Sequence, residues 1–252
     1  MRIDALKSAR PEQQRYVFSK SNMKCSYVNF RRKILEKYGR FSVLRHGIWF
    51  VDIPRTSSSS IRAELGKKFG RAYGKRNIIE KEHATPQIFK DHIPAREMRV
   101  LLGNSTWNRI FTFTIVRNPW DRTYSMYNYR KKINGLPQKW CFRDYVLALG
   151  TACADTPLFE YHGFRYGASE YVLGDSGKII VDFVARYENR PHDLNALSSL
   201  IKTDTLGGLC IQKVSPNDKH YSEFYDEETK EIIRGLYKKD IELFEYEFDD
   251  QT

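Results

Sequence analysis

Arg55 opens a polar run, Arg-Thr-Ser-Ser-Ser-Ser, that lies between an apolar stretch and a helix-like pattern in WFVDIPRTSSSSIRAEL (49–65). A fixed guanidinium beside Thr56, Ser57, Ser58, Ser59 and Ser60 at the start of a helix suits a phosphate or sulfate. The hydroxyls and the unpaired first-turn amides all donate, and the helix dipole favours a negative charge there. The run is no Walker A loop, because no GxxxxGK[ST] pattern and no glycine occur between Pro54 and Leu65. That removes the main support for a magnesium-ATP kinase. A serine-rich turn that only caps its helix is the plainer alternative, and the loop alone does not decide between the two.

A second cluster follows in RNPWDRTYS, where Arg117, Arg122 and Ser125 are spaced by five and then three residues. The interval of three puts Arg122 and Ser125 on neighbouring positions of one helical face. A guanidinium and a hydroxyl near a helix start make a monophosphate clamp; an Arg–Asp network through Asp121 is the alternative. Taken together, the two turns imply one ligand with two separated anionic groups. A proton acceptor would come from histidine, whose ordinary pKa is best placed. No CxxC pair or other metal-ligand spacing is present, so no metal site is expected.

These clusters need elements to hold them. GIWFVDI (47–53), RIFTFTIV (109–116) and part of GKIIVDFVARYEN (177–189) read as buried strands. A helix follows the first, with Ile61 and Leu65 four apart and a stop at Gly70. Another helix is expected after Pro119, near Asp121. The tail DEETKEIIRGLYKKDIELFEYEF reads as helical, with Ile232, Ile233, Leu236, Tyr237, Ile241 and Phe244 along one stripe. Residues 1–46 form a basic extension with a helix around Tyr27–Tyr38, while 134–176 give no clear pattern. Strands alternating with helices indicate an α/β fold: one P-loop-like domain over 1–252, the extension packed on it, with a central, mainly parallel sheet flanked by helices. In such a sheet the strand-to-helix turns gather at the carboxyl edge, where ligands bind.

Composition sets outer bounds. With 252 residues and 41% hydrophobic content, the chain suits one sizeable domain. Its net charge of +11 favours anionic ligands without choosing among nucleic acid, acidic glycan, membrane and phosphorylated cofactor. Cys25, Cys141, Cys153 and Cys210 are scattered, as expected of reduced thiols. No apolar run approaches the ~20 residues of a membrane span, and the N-terminus has no signal-peptide core. A cytoplasmic location without membrane association is expected.

The motifs together resemble a known family. FVDIPRTSSSSI is similar to the 5′-phosphosulfate loop of sulfotransferases, usually I-P-K-T-x-x-T/S-S, and FTIVRNPWDRTYSMY resembles their 3′-phosphate motif, V-R-[DN]-P-x-x-R-x-x-S-x-Y. EHATPQIF resembles an H-[AS]-T-[AP] segment, GKIIVDFVARYEN a strand ending R-[FY]-E-N, and the tail a helix ending D-x-x-x-F-x-Y. The resemblance is to carbohydrate-type enzymes, those of the HNK-1, chondroitin and heparan 2-O kind, and their bacterial relatives. It implies the sulfotransferase fold, 3′-phosphoadenosine 5′-phosphosulfate (PAPS) as donor, adenosine 3′,5′-bisphosphate (PAP) as product, and no metal.

By that resemblance, Arg55 and Thr56 to Ser60 hold the 5′ end, and Arg117 with Ser125 the 3′-phosphate; Arg122 is either part of the clamp or structural. Arg55 replaces the usual lysine, so its implied role is electrostatic stabilisation of the leaving phosphate and not proton donation. His83 in HATP is the implied base and His92 the runner-up, with Glu188 an alternative; His46, His162, His192 and His220 have no assigned role beyond structure or surface. YGASEY departs from a P-Q-S-x-Y pattern at Ala168. Trp140, Phe159, Tyr161, His162, Phe164 and Tyr166 could shape an acceptor pocket for a glycan or small metabolite. No nucleic-acid partner is expected. The rival is a non-catalytic protein on a degenerate sulfotransferase fold that binds anionic glycan or nucleic acid.

Overall fold

The structure is a computed structural model and describes residues 47–69, 92–151, 166–202 and 219–249. Three strands, β1 (Ile48–Val51), β2 (Phe111–Val116) and β3 (Phe183–Arg186), form a parallel sheet in that order. Val51 pairs with Thr114, and Val116 pairs with Arg186. Central β2 is buried along all but its first residue, as FTFTIV predicts. Its polar side chains are satisfied within the sheet: Thr114 Oγ1 donates to Val51 O at 2.7 Å, and Thr112 Oγ1 to Asp182 Oδ2 at 2.7 Å.

The two-residue strand period sorts the core. Ile48, Phe50, Phe113 and Ile115 meet Ile61 and Leu65 of α1 (Ser58–Phe69) on one face. Leu194 and Leu197 of a helix after β3 complete that layer. On the other face Val51, Ile53 and Val116 meet Met98 of α2 (Ala95–Leu102), Trp107 of the short α3 (Asn104–Trp107) and residues from the second half of the chain. A third cluster joins α4 (Pro119–Lys132) and α5 (Phe142–Thr151) to the C-terminal region, with Trp120, Tyr124, Phe142, Tyr145 and Ile233 buried. The remaining elements are α6 (Ala168–Val172), α7 (Arg190–Leu200), a 3₁₀ turn (Tyr221–Phe224), α8 (Glu227–Leu236) and α9 (Lys238–Phe244).

Three boundaries differ from expectation, each for a local reason. α4 begins at Pro119, because Asn118 Oδ1 accepts from Trp120 N at 3.1 Å and proline fits the first helical position. Only Phe183–Arg186 of the 177–189 segment is strand; Gly177, at φ 75°, turns the chain so that Leu173 and Ile179 form an antiparallel bridge instead. The C-terminal stripe breaks at Tyr237, with φ −112° and ψ 25°. The break lets α9 carry the buried Asp240 beneath α6, where its carboxylate accepts from Ala168 N and, at 2.8 Å, Ser169 N. Leu236 accordingly leaves the core, 47% exposed. Residues 1–46, the HATP segment with His83, and Phe159 to Phe164 lie outside the described residues. Among the described residues no helix is long and apolar enough to cross a membrane.

Candidate active site

β1 ends at Val51 and hands the chain to a tight turn in which Arg55 (φ 67°) and Ser57 (φ 73°) are left-handed. Each such residue costs about 1 kcal/mol without a glycine, so other contacts must impose the conformation. Those contacts come from the whole sheet edge. Thr56 Oγ1 donates to Ile53 O at 2.9 Å, Arg122 Nε to Pro54 O at 3.1 Å, and Arg117 Nη1 to Arg55 O at 3.1 Å. Ser57 O accepts from Ser60 N and Ile61 N at 3.0 and 3.2 Å and so starts α1. The amides that precede those two bonds have no acceptor within the helix.

The second turn lies beside the first. Arg55 donates to Ser125 Oγ through Nε at 3.1 Å and Nη2 at 2.9 Å, and its guanidinium sits over the Tyr129 ring at 4.9 Å. Arg117 grips Asp121 with two bonds of 2.7 Å. Tyr187, just past β3, carries two guanidiniums: Arg117 at 3.9 Å and Arg190 at 3.8 Å from its ring centroid. Arg190 also donates from Nη1 to Ser57 Oγ at 3.2 Å. Three strand ends therefore bring Arg55, Arg117 and Arg190 to one place.

Their electrostatics differ. Burial lowers the Arg55 pKa, and the neighbouring charge of Arg117 lowers it further. Burial also disfavours the charge on Arg117, but Asp121, by charge and hydrogen bond, more than offsets it and holds that pKa up. Among the described residues, neither Arg55 nor Arg190 has a carboxylate within ion-pair distance. Two cations at a partly buried turn without an acid beside them favour an anionic ligand.

Arg122 does not form the clamp that its spacing suggested. Its guanidinium is buried and bonds Pro54 O and, at 2.9 Å, Tyr166 O, joining the first turn to the approach of α6. Backbone carbonyls of two loops outcompete a position beside Ser125. Glu188 is likewise engaged: it accepts from Asn118 N at 2.6 Å and from the Tyr246 hydroxyl at 3.2 Å. Burial raises its pKa, and the Asn118 amide acts against that rise. His83 lies outside the described residues. His92, at φ 69°, places Nδ1 3.0 Å from Asp52 O and 3.1 Å from Asp52 Oδ1, while Arg62 Nη1 holds Asp52 Oδ2 at 2.6 Å. Both atoms facing Nδ1 are acceptors, so Nδ1 carries a proton. His192 is exposed beside Asp193, and His220 caps the 3₁₀ turn. Tyr129, Tyr187, Arg190 and the Asp52–Arg62 pair were absent from the sequence reading. The one available signal was Arg190-Pro191 after a strand, which marks a third strand-to-helix turn.

Fold and site together define an α/β protein whose cationic side chains gather at the carboxyl edge of a parallel sheet. The profile of the Sulfotransferase family matches residues 39–247, most of the chain, and the chain belongs to that family. Searches of curated proteins and of solved structures gave no match. Among the described residues no group of His, Cys, Asp or Glu could hold a metal ion.

Proposed function

We propose that the chain moves the sulfuryl group of PAPS to a hydroxyl or amine of a glycan or small metabolite, as in carbohydrate-type sulfotransferases. The carrying observation is the pairing of Arg55 with Ser125, which brings the two anion-seeking turns within one hydrogen bond of each other. A ligand with a charged group at each end of a nucleoside fits that arrangement. Arg55, the hydroxyls of Thr56 to Ser60 and the first amides of α1 would hold the 5′ end; Arg117 and Ser125 would hold the 3′-phosphate. Ligand oxygens would then replace the Arg55–Ser125 bond, releasing both groups for one molecule.

When bound, PAPS supplies an activated sulfuryl group that an acceptor oxygen or nitrogen attacks in line as PAP leaves. Arg55 keeps a fixed positive charge where the leaving group becomes more negative, an interaction stronger in the transition state than before it. Its guanidinium stays protonated and donates hydrogen bonds without giving up the proton. His83, the base that the resemblance implies, lies outside the described residues, and His92 is the candidate among the described ones. Asp52 would hold the Nδ1 proton and steady an imidazolium formed when the ring takes the acceptor's proton. Asp52 lies three residues before Arg55, which ties the base to the same turn.

The test is calorimetric titration with PAP, followed by incubation with PAPS, a panel of sugar, phenol and amine acceptors, and EDTA, with PAP release read by mass spectrometry. PAP should bind, and release should proceed with at least one acceptor despite the chelator. His92→Gln should keep PAP affinity and lower turnover of a hydroxyl acceptor by about 10²-fold or more. That same loss in His83→Ala, with His92→Gln active, would move the base to His83. Failure of both PAP and PAPS to bind would overturn the reading. Binding without turnover, together with salt-sensitive polyanion capture, would favour the non-catalytic rival.

A further inference from the structure

The assigned motifs leave Arg190 unused. It stands at the first position of α7, beyond the strand whose sequence ends Arg-Tyr-Glu-Asn, and no part of either phosphate motif includes it. Yet its Nη1 reaches Ser57 Oγ, 133 residues away in sequence, in the turn assigned to the 5′ group. Its guanidinium rests on Tyr187, which also carries Arg117.

We propose that Arg190 is a third cationic arm of the site, directed by Ser57 and Tyr187 at the 5′ group of the bound nucleotide. The inference rests on the PAPS reading above and adds a contact that distinguishes the two ends of that ligand. Three observations support it. Arginine has five donors, and the bond to Ser57 uses one of them, so others remain for ligand oxygens. Stacking on Tyr187 fixes the guanidinium plane, which lowers the entropy lost when those donors meet an anion. Two other arginines of this region are committed elsewhere, Arg122 to two carbonyls and Arg186 to Phe244 O, while Arg117 is paired with Asp121 and assigned to the 3′ end. Among the described residues, Arg190, like Arg55, has no carboxylate within ion-pair distance. A lone arginine strut would serve to hold α7 against the turn; an arm also discriminates between ligands.

The experiment compares wild type, Arg190→Gln, Arg190→Lys and Tyr187→Leu for PAP, adenosine 5′-phosphate and adenosine 3′-phosphate by calorimetry, with melting temperature as a check on folding. Arg190→Gln should weaken PAP and the 5′-phosphate at least tenfold, about 1.4 kcal/mol, and the 3′-phosphate less than twofold. Arg190→Lys should recover part of the loss, because charge returns without the planar fork. Tyr187→Leu should weaken both monophosphates, since the ring supports an arginine assigned to each end. Equal losses for all three ligands in Arg190→Gln, or no loss, would overturn the proposal and leave a strut. If Arg190→Gln does not fold, Arg190→Lys decides on the same ligand contrast: a selective 5′ loss supports the arm, and a uniform loss or none overturns it. Absence of PAP binding by wild type would instead overturn the PAPS reading itself, a distinct outcome.

Discussion

Arg117 and Arg122 stand five residues apart after the same strand, and their surroundings give them opposite duties. Arg117 keeps its charge through Asp121 and presents it at the sheet edge, next to Tyr187 and the Arg55 carbonyl. Arg122 is 4% exposed and spends its donors on the carbonyls of Pro54 and Tyr166. Arg122→Ala should therefore destabilise the fold by about 3 kcal/mol, because it strands two carbonyls and opens a void. Arg117→Ala should weaken PAP binding by more than tenfold with a smaller change in stability. Urea unfolding and PAP calorimetry on both variants check the contrast; equal stability losses would show that the two arginines share one structural role. Sequence spacing alone grouped Arg122 with Ser125, since helical periodicity specifies a face but not which backbone carbonyl a long side chain will meet.

At the level of elements, α8 shows how local chemistry sets a boundary. Asp226 caps it, accepting from Thr229 N at 2.8 Å, while Thr229 Oγ1 accepts from Asp226 N at 2.9 Å. Hydrogen bonds from the Thr229 amide and hydroxyl, with a smaller share from Arg143, hold the Asp226 carboxyl down at about 2. Arg143 is exposed, so its ion pair adds little. An unfolded aspartate titrates near ~3.9, so the folded carboxyl is the stronger acid. The cap's stabilisation is thus fully present above about pH 4 and is lost as pH falls toward 2. Asp226→Ala should cost about 1 kcal/mol near neutral pH and flatten that part of the acid titration. Urea midpoints measured between pH 5 and 2 for both proteins test this; parallel curves would refute it. The strands, α1, α4 and the Arg55 and Arg117 turns were legible in the sequence because hydrophobic runs and polar turns are local patterns. The break at Tyr237 was not, because its cause is the α6 amides some seventy residues upstream, met by Asp240. Arg190 escaped for the same reason, as its partners Ser57 and Tyr187 belong to different turns.

Across the whole molecule, the chain carries a net charge of +11, and its site brings three arginines together. Long-range attraction should add to the direct contacts and be screened at high ionic strength. Raising sodium chloride from about 50 to about 500 mM should weaken PAP binding more than tenfold while changing adenosine binding less than twofold. Titration at three salt concentrations checks this; a flat response for PAP would place the affinity in short-range contacts alone. The site also has an unusual reach along the chain. Beside its local bonds, four contacts join residues 62, 68, 70 and 133 apart, each between different turns. A nucleotide bound there, as proposed, would act as a staple across all three strands: it would be gripped only by the assembled sheet, and each gain in affinity would become resistance to global unfolding by mass action. Occupancy by donor or product would thereby set how long the folded chain persists, so that cellular nucleotide supply governs the protein's lifetime as well as its turnover.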